Sequence, residues 1–201
     1  MAVQLKCGAV FLHIPKTGGS WVRSVLQEQA LVQRQLGHMH ADYSRALMPN
    51  LPVSIATHGL GAWSKNLLPR WFKALPPLQK MKREAEAVWR RRTPYCFCFV
   101  RHPMDWYESW WRYMRQRTDS GWAQLPDFSG WHPCRGLLST EHPEFNGFMC
   151  RVLATRPGFV TELFASYAQP DIDFVGRQER LADDLVHVLR TLNVTFDENR
   201  I

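Results

Sequence analysis

Apolar positions fall in short blocks along the chain, and their spacing changes from block to block. Gly8 to Ile14 (GAVFLHI) is a nearly continuous apolar run that stops at Pro15, which predicts a central parallel strand covered on both faces. From Ser20 the apolar residues Trp21, Val22, Val25, Leu26 and Ala30 recur at helical spacing as far as about Gln33, with Gly18 and Gly19 permitting a tight turn into the helix. Leu36 to Asn50 is irregular. Val53 to Thr57 (VSIAT) predicts a second short strand that breaks at His58-Gly59; Leu60 to Pro77 reads as a loop and Leu78 to Arg92 as a charged amphipathic helix. Tyr95 to Val100 (YCFCFV) is the clearest strand. Pro103 suits the first position of a helix reaching about Arg117, in which Trp106, Trp110, Tyr113 and Met114 keep a period near 3.6. Thr118 to Pro143 has no sustained period and predicts a long loop, most simply a lid. Helices near Glu144 to Leu153 and Gly158 to Ala168, a strand at Ile172 to Val175 and a helix from Glu179 to Leu192 complete the chain.

Strands alternating with helices predict an α/β fold, a mostly parallel central sheet flanked by helices, with ligands outside the carboxyl ends of the strands. At 201 residues and 45% hydrophobic content, without repeats or a clean linker, residues 1–201 are expected to form a single domain. A formal charge of +7 favours an anionic partner. The N-terminus lacks the pattern of a signal peptide, and no apolar run approaches the ~18 residues of a membrane span, so a soluble, cytoplasmic chain without a membrane partner is expected. Five cysteines without a CxxC pair fit reduced thiols, and Cys96 and Cys98, at strand spacing, are expected on one sheet face as core.

The turn after the first strand, HIPKTGGSW, carries the most specific chemistry. A strand-turn-helix aims successive N–H groups and the positive end of a helix dipole at one point, where an oxyanion fits. The glycines would let backbone approach that anion, Lys16 supplies a mobile cation, and the Thr17 and Ser20 hydroxyls can donate further bonds. An ordinary turn with an exposed lysine needs none of this combination. The nucleotide-triphosphatase loop G-x-x-x-x-G-K-[ST] has its lysine after the glycines, whereas here it comes first, and the second predicted strand ends in Thr57-His58 without a metal-carrying aspartate. The expectation is a phosphate-like ligand and no metal.

HIPKTGGSW closely resembles the 5′-phosphosulfate loop of sulfotransferases that use 3′-phosphoadenosine-5′-phosphosulfate (PAPS), and its His-Ile-Pro is most similar to the carbohydrate-modifying and bacterial branch. The resemblance implies a P-loop NTPase-like three-layer sandwich and assigns Pro15, Lys16, Thr17, Gly18, Gly19, Ser20 and Trp21 to cofactor binding. A second segment, FVRHPMDWYESWW, puts Arg101 at a strand end and Ser109 eight residues on, able to grip one phosphate from two sides. Read alone, an Arg bonded to carbonyls and a Ser facing solvent is the plainer account. The segment resembles the 3′-phosphate motif of the same family, which implies that Arg101 and Ser109 hold that group. DFVGRQERLADDLVHVL resembles the family's late strand-helix unit and adds Arg177 to the nucleotide site, with a salt bridge to Glu179 or Asp183 as its alternative.

Sulfuryl transfer to a hydroxyl needs a base, and a neutral histidine suits it. His58, at the end of the second predicted strand, lies on the same edge as Lys16 and resembles the family's catalytic base. His13 reads as structural and His102 as an orienter of Arg101, while Glu28 and Asp42 are alternative carboxylate bases. Lys16 is the second catalytic residue, meeting charge on the leaving oxygen. PAPS is thus the implied cosubstrate, adenosine 3′,5′-bisphosphate the product, and a hydroxyl-bearing acceptor, a saccharide among the candidates, the partner. Trp63, Trp71, Trp106, Trp110, Trp111, Trp122 and Trp131 could wall its site, with core packing as the alternative, and Arg112, Arg115 and Arg117 could attract an anionic saccharide or line a solvated face. Competing readings are a metal-independent P-loop protein for another 3′,5′-bisphosphorylated nucleotide and a basic nucleotide- or nucleic-acid-binding module. No recognised motif supports a nucleic-acid partner.

Overall fold

The fold is described from a computed structural model over residues 2–37, 42, 94–117, 121–122, 132–169 and 172–201. The chain starts in β1 (Ala2–Leu5), turns at Gly8 (φ 91°), and returns in β2 (Val10–Leu12). Helix α1 (Gly19–Glu28) follows, then β3 (Val32–Leu36). Beyond the second described stretch come β4 (Cys96–Val100), α2 (Pro103–Arg117), a 3-10 segment (Arg135–Thr140), α3 (Phe145–Thr155) and α4 (Phe159–Tyr167). β5 (Phe174–Arg177), a 3-10 turn (Gln178–Arg180) and α5 (Leu181–Thr191) end the fold.

Among the described residues the sheet has five strands in the order β3-β1-β2-β4-β5. β2, β4 and β5 are parallel, with Leu12 opposite Cys98 and Val100 opposite Arg177. β1 runs antiparallel to both β2 and β3, so the sheet is mixed and the expectation of a mostly parallel one is corrected. Two short strands account for the difference. In β1 the run Ala2-Val3-Gln4-Leu5 is almost wholly buried, and Leu5 N–H bonds Ala9 O at 2.8 Å to close the hairpin. β3 arises because α1 stops earlier than its apolar spacing suggests. Ala30 adopts φ 54°, its N–H bonds Gln27 O at 2.9 Å, and Leu31 N–H bonds Leu26 O at 3.0 Å. That pair of reversed bonds terminates a helix and sends the chain off extended.

Side-chain alternation sorts the sheet into two apolar layers. Val10, Leu12, Cys96 and Cys98 face α2, α3 and α4, joined by Trp106, Trp110, Phe148 and Tyr167. Phe11, Phe97 and Phe99 face the other way, onto Val22, Val25 and Leu26 of α1 and Leu185, Val188 and Leu189 of α5. The two strand cysteines are therefore core, as their spacing predicts, and burial raises the Cys98 thiol to about 12. Trp122, Cys134, Leu137 and Thr140 are also buried, so these residues of the predicted loop 118–143 add to the core, while residues 118–120 and 123–131 lie outside the described residues. The predicted strand Val53 to Thr57 and helix Leu78 to Arg92 lie outside the described residues. No described helix is long and apolar enough to cross a membrane.

Candidate functional site

Three parallel strands deliver their carboxyl ends to one edge, where the turn that carries Lys16 meets Arg101. After β2 the chain passes through Pro15 and Lys16, whose backbone is left-handed (φ 65°), to Gly18 (φ 81°), the residue preceding α1. No side chain caps that helix start and no acid lies in its first turn. Its amides and dipole are thus unopposed by local negative charge. A left-handed conformation at a non-glycine residue costs ~1–3 kcal/mol, so the turn around Lys16 is held against strain.

The surrounding protein supplies that hold. Thr17, 1% exposed, donates its hydroxyl to Ile14 O at 3.0 Å, so that oxygen ties the loop to the strand. Trp106 of α2 donates its indole N–H to Pro15 O at 2.7 Å. The two glycines make room for protein as well as for any ligand. A Cβ on Gly19 would lie 2.0 Å from the His13 ring, and one on Gly18 would lie 2.5 Å from Leu181. His13 is buried beneath the turn; burial, then the chain's N-terminal charge and Arg23, lower its pKa to about 3, so it is a neutral support.

Lys16 and Arg101 come together across 85 positions of sequence, with Arg101 Nη1 in a long contact, 3.5 Å, to Lys16 O. Burial, and then the neighbouring Arg101, lower the Lys16 pKa, against an opposing influence of Cys134. Neither cation forms an ion pair with a carboxylate among the described residues, and the buried Nε of Arg101 has no hydrogen-bond partner there. Instead the Lys16 ammonium sits 4.3 Å from the centre of the Tyr113 ring. Two cations beside an uncapped helix start, one with an unused buried N–H, form an arrangement complementary to a polyanion.

Ser109 is half-buried on α2, between Trp106 and Tyr113 by helical spacing and so on the face turned toward the loop. Ser20 is exposed at the start of α1, and Trp21 is 37% exposed beside it. Arg177 lies opposite Val100, next to the strand end that carries Arg101. Its guanidinium is exposed and makes neither suggested salt bridge. Its amide bonds Asp184 at 2.7 Å, while Arg180 approaches Asp183 and Asp184 at 3.8 and 4.0 Å. Glu179 accepts the His102 N–H at 2.7 Å; although burial raises its pKa, that bond and the charges of Arg101 and His102 leave it lowered. The 3-10 turn after β5 and the first residue of α5 therefore lie beside both arms of the site, Gly18 through Gln178 and Leu181, and the strand end through Glu179.

Of the base candidates, His58 lies outside the described residues, and Asp42 is buried. Glu28 closes α1, about 13 Å along the helix from its start, too far to serve the turn. Among the proposed acceptor walls, Trp106, Trp110 and Trp122 are buried in the core, and Trp111 bonds His142 O at 2.9 Å, while Trp63, Trp71 and Trp131 lie outside the described residues. From the sequence, Tyr113 enters only through the helical period of α2, and Glu179 only as a salt-bridge alternative for Arg177, not as the acceptor of the His102 N–H. The spacing of Trp106, Ser109 and Tyr113 at i, i+3 and i+7 contains the signal for the first. The second depends on a contact between segments 77 positions apart and has no local signature.

No protein-family model matches the chain, and comparison with curated proteins and with solved structures finds no match either.

Proposed function

We propose that the chain is a PAPS-dependent sulfotransferase that moves the sulfuryl group to an acceptor hydroxyl, on a P-loop NTPase-like three-layer framework. The observation that carries the reading is the meeting of Lys16 and Arg101, unpaired with any described carboxylate, at the uncapped start of α1. The resemblance of HIPKTGGSW and of the Arg101 to Ser109 segment to the two phosphate motifs names the polyanion. Parallel β2, β4 and β5 with helices on both faces suit the framework.

In this reading the 5′-phosphosulfate lies over residues 15–21 and the 3′-phosphate between Arg101 and Ser109, with Arg177 at the same edge. His58 removes the acceptor proton as the acceptor oxygen attacks sulfur in line. The bond from sulfur to the bridging oxygen breaks, and its electron pair leaves with adenosine 3′,5′-bisphosphate. Lys16 and the amides of the turn meet the charge that develops on that oxygen. The reading assigns no step to a metal and takes the acceptor to be a saccharide or small molecule. Five free thiols, Cys7 and Cys150 exposed among them, suit a reducing cytoplasm.

Thermal unfolding with adenosine 3′,5′-bisphosphate, against 5′-AMP and ATP with Mg²⁺, tests the reading, because a ligand of the folded state raises apparent stability. A shift selective for the bisphosphate is expected, lost in Arg101→Ala. A shift equalled by ATP, or none, refutes it. Given transfer from PAPS to an acceptor, Lys16→Ala and His58→Ala should each lower kcat by ~10²-fold or more.

A further inference from the structure

The turn and α2 meet along one helix face. Trp106, Ser109 and Tyr113 follow each other at three- and four-residue steps, so their side chains line a single stripe. At one end of that stripe Trp106 binds the Pro15 carbonyl, and at the other the Tyr113 ring lies under the Lys16 ammonium, 4.3 Å from its centre. The same ring carries the Arg117 guanidinium at 5.3 Å, and the Tyr113 hydroxyl accepts a hydrogen bond from Arg117. Trp110 packs beside it with ring centres 6.1 Å apart. Tyr113 is thus fixed in place by its neighbours before it meets Lys16.

We propose that Tyr113 is a positioning residue, the perch on which the Lys16 ammonium rests over the turn until an anion draws it away. A lysine side chain has four rotatable bonds and a strongly hydrated head, so without a partner it would sample solvent. The neighbouring Arg101 repels it, and a carboxylate partner would hold it too firmly and cancel its charge toward an incoming anion. The π face attracts the cation, leaves its charge uncompensated, and accepts no directional bond that a phosphate oxygen must break. The perch rests on the sulfotransferase reading only for the identity of the anion; the contact between Lys16 and Tyr113 stands without it.

The test reads Lys16 directly, without nucleotide and without activity. A short pulse of acetic anhydride is followed by mass spectrometric measurement of acetylation at Lys16 in the wild-type protein, in Tyr113→Phe, in Tyr113→Leu, and in proteins carrying phenylalanine with one, two or three ring fluorines at position 113. Arg101 and Cys134, which act on the Lys16 charge, and Arg117, which shares the Tyr113 ring, are unchanged throughout. Tyr113→Phe should label within twofold of wild type. Tyr113→Leu should label about threefold faster or more, the scale of a partly exposed cation–π contact. Fluorination draws charge from the ring face while keeping its shape, so the rate should climb with each fluorine, and this series decides the matter if Tyr113→Leu folds poorly. A flat fluorine series, or Tyr113→Leu labelling at the wild-type rate, overturns the perch. Protection by adenosine 3′,5′-bisphosphate is a separate arm: its absence in every protein counts against the nucleotide reading, while the fluorine series still decides the perch.

Discussion

Gly19→Ala separates two reasons for having glycine in the turn. Gly19 is the first residue of α1 and its backbone is not left-handed, so alanine meets no conformational barrier there. Helix propensity alone would favour the substitution by up to ~1 kcal/mol. The obstacle is the His13 ring, whose Cδ2, Nε2 and Cγ would stand 2.0, 2.5 and 2.7 Å from the new methyl. His13 is 8% exposed and stacks near Phe11, ring centres 6.2 Å apart, so it has little room to retreat. Overpacking of this kind costs ~1–3 kcal/mol, toward the upper end where contacts are so short, which leaves a net loss of about 1–2 kcal/mol after the propensity gain. Urea denaturation followed by circular dichroism measures it, and the double variant His13→Ala/Gly19→Ala supplies the control. Removing the ring should make room for the methyl, so the double variant should be more stable than the sum of the single losses predicts, by ~1 kcal/mol or more. Gly19→Ala as stable as wild type, or strictly additive losses, would refute the steric account. Gly19 would then have to be explained by the ligand alone.

His13 itself predicts a pH dependence. Its folded pKa of about 3 lies below the ordinary value of 6.5, so the unfolded chain binds the proton first, and stability present above pH 6.5 drains away as pH falls toward 3. This group should cost about 2 kcal/mol between pH 7 and pH 5, and His13→Ala should flatten that part of the profile of urea midpoints. Ala30→Gly should raise stability by ~0.5–1 kcal/mol in the same assay, because glycine takes the left-handed position that ends α1 without the Cβ penalty; a loss would contradict the helix stop described. Trp106→Phe keeps the ring packing but leaves Pro15 O without its 2.7 Å bond, and should cost ~1–3 kcal/mol in unfolding experiments together with weaker bisphosphate binding. A stable variant with unchanged affinity would show that the turn does not depend on α2.

Local patterns recovered what local forces decide. The period of Trp106, Trp110, Tyr113 and Met114 and the N-terminal Pro103 marked α2 to both its ends, and CFCFV marked β4, because each is a run long enough for its spacing to be read. α1 was read about five residues too long. Ala30 carries no glycine signal although it takes the left-handed helix-ending position, and the hydrophobic spacing runs on past it. β1 and β3 were missed because four residues of AVQL and a mostly exposed VQRQL have little apolar contrast, and each is made a strand by its neighbours. At the site, Lys16 and Arg101 were legible from their turns. The purpose of the glycines was only half legible, because what they accommodate, His13 and Leu181, is set by packing and not by sequence distance.

The 85 residues that separate Lys16 from Arg101 have a bearing on how the protein comes to exist. Strands β2 and β4 are neighbours in the sheet, yet pairing them closes a chain loop whose entropy opposes contact by about 4 kcal/mol before any packing returns it. A nascent chain that has emerged only through α1 already owns the lysine turn but none of the second arm, and still lacks the β5 turn that braces both. The meeting of the two cations should therefore come in a late step of folding, once β4 and β5 have paired beside β2. An anion that spanned both arms, as the proposed reading requires, would act as a clasp across that loop and hold together segments that the chain makes far apart.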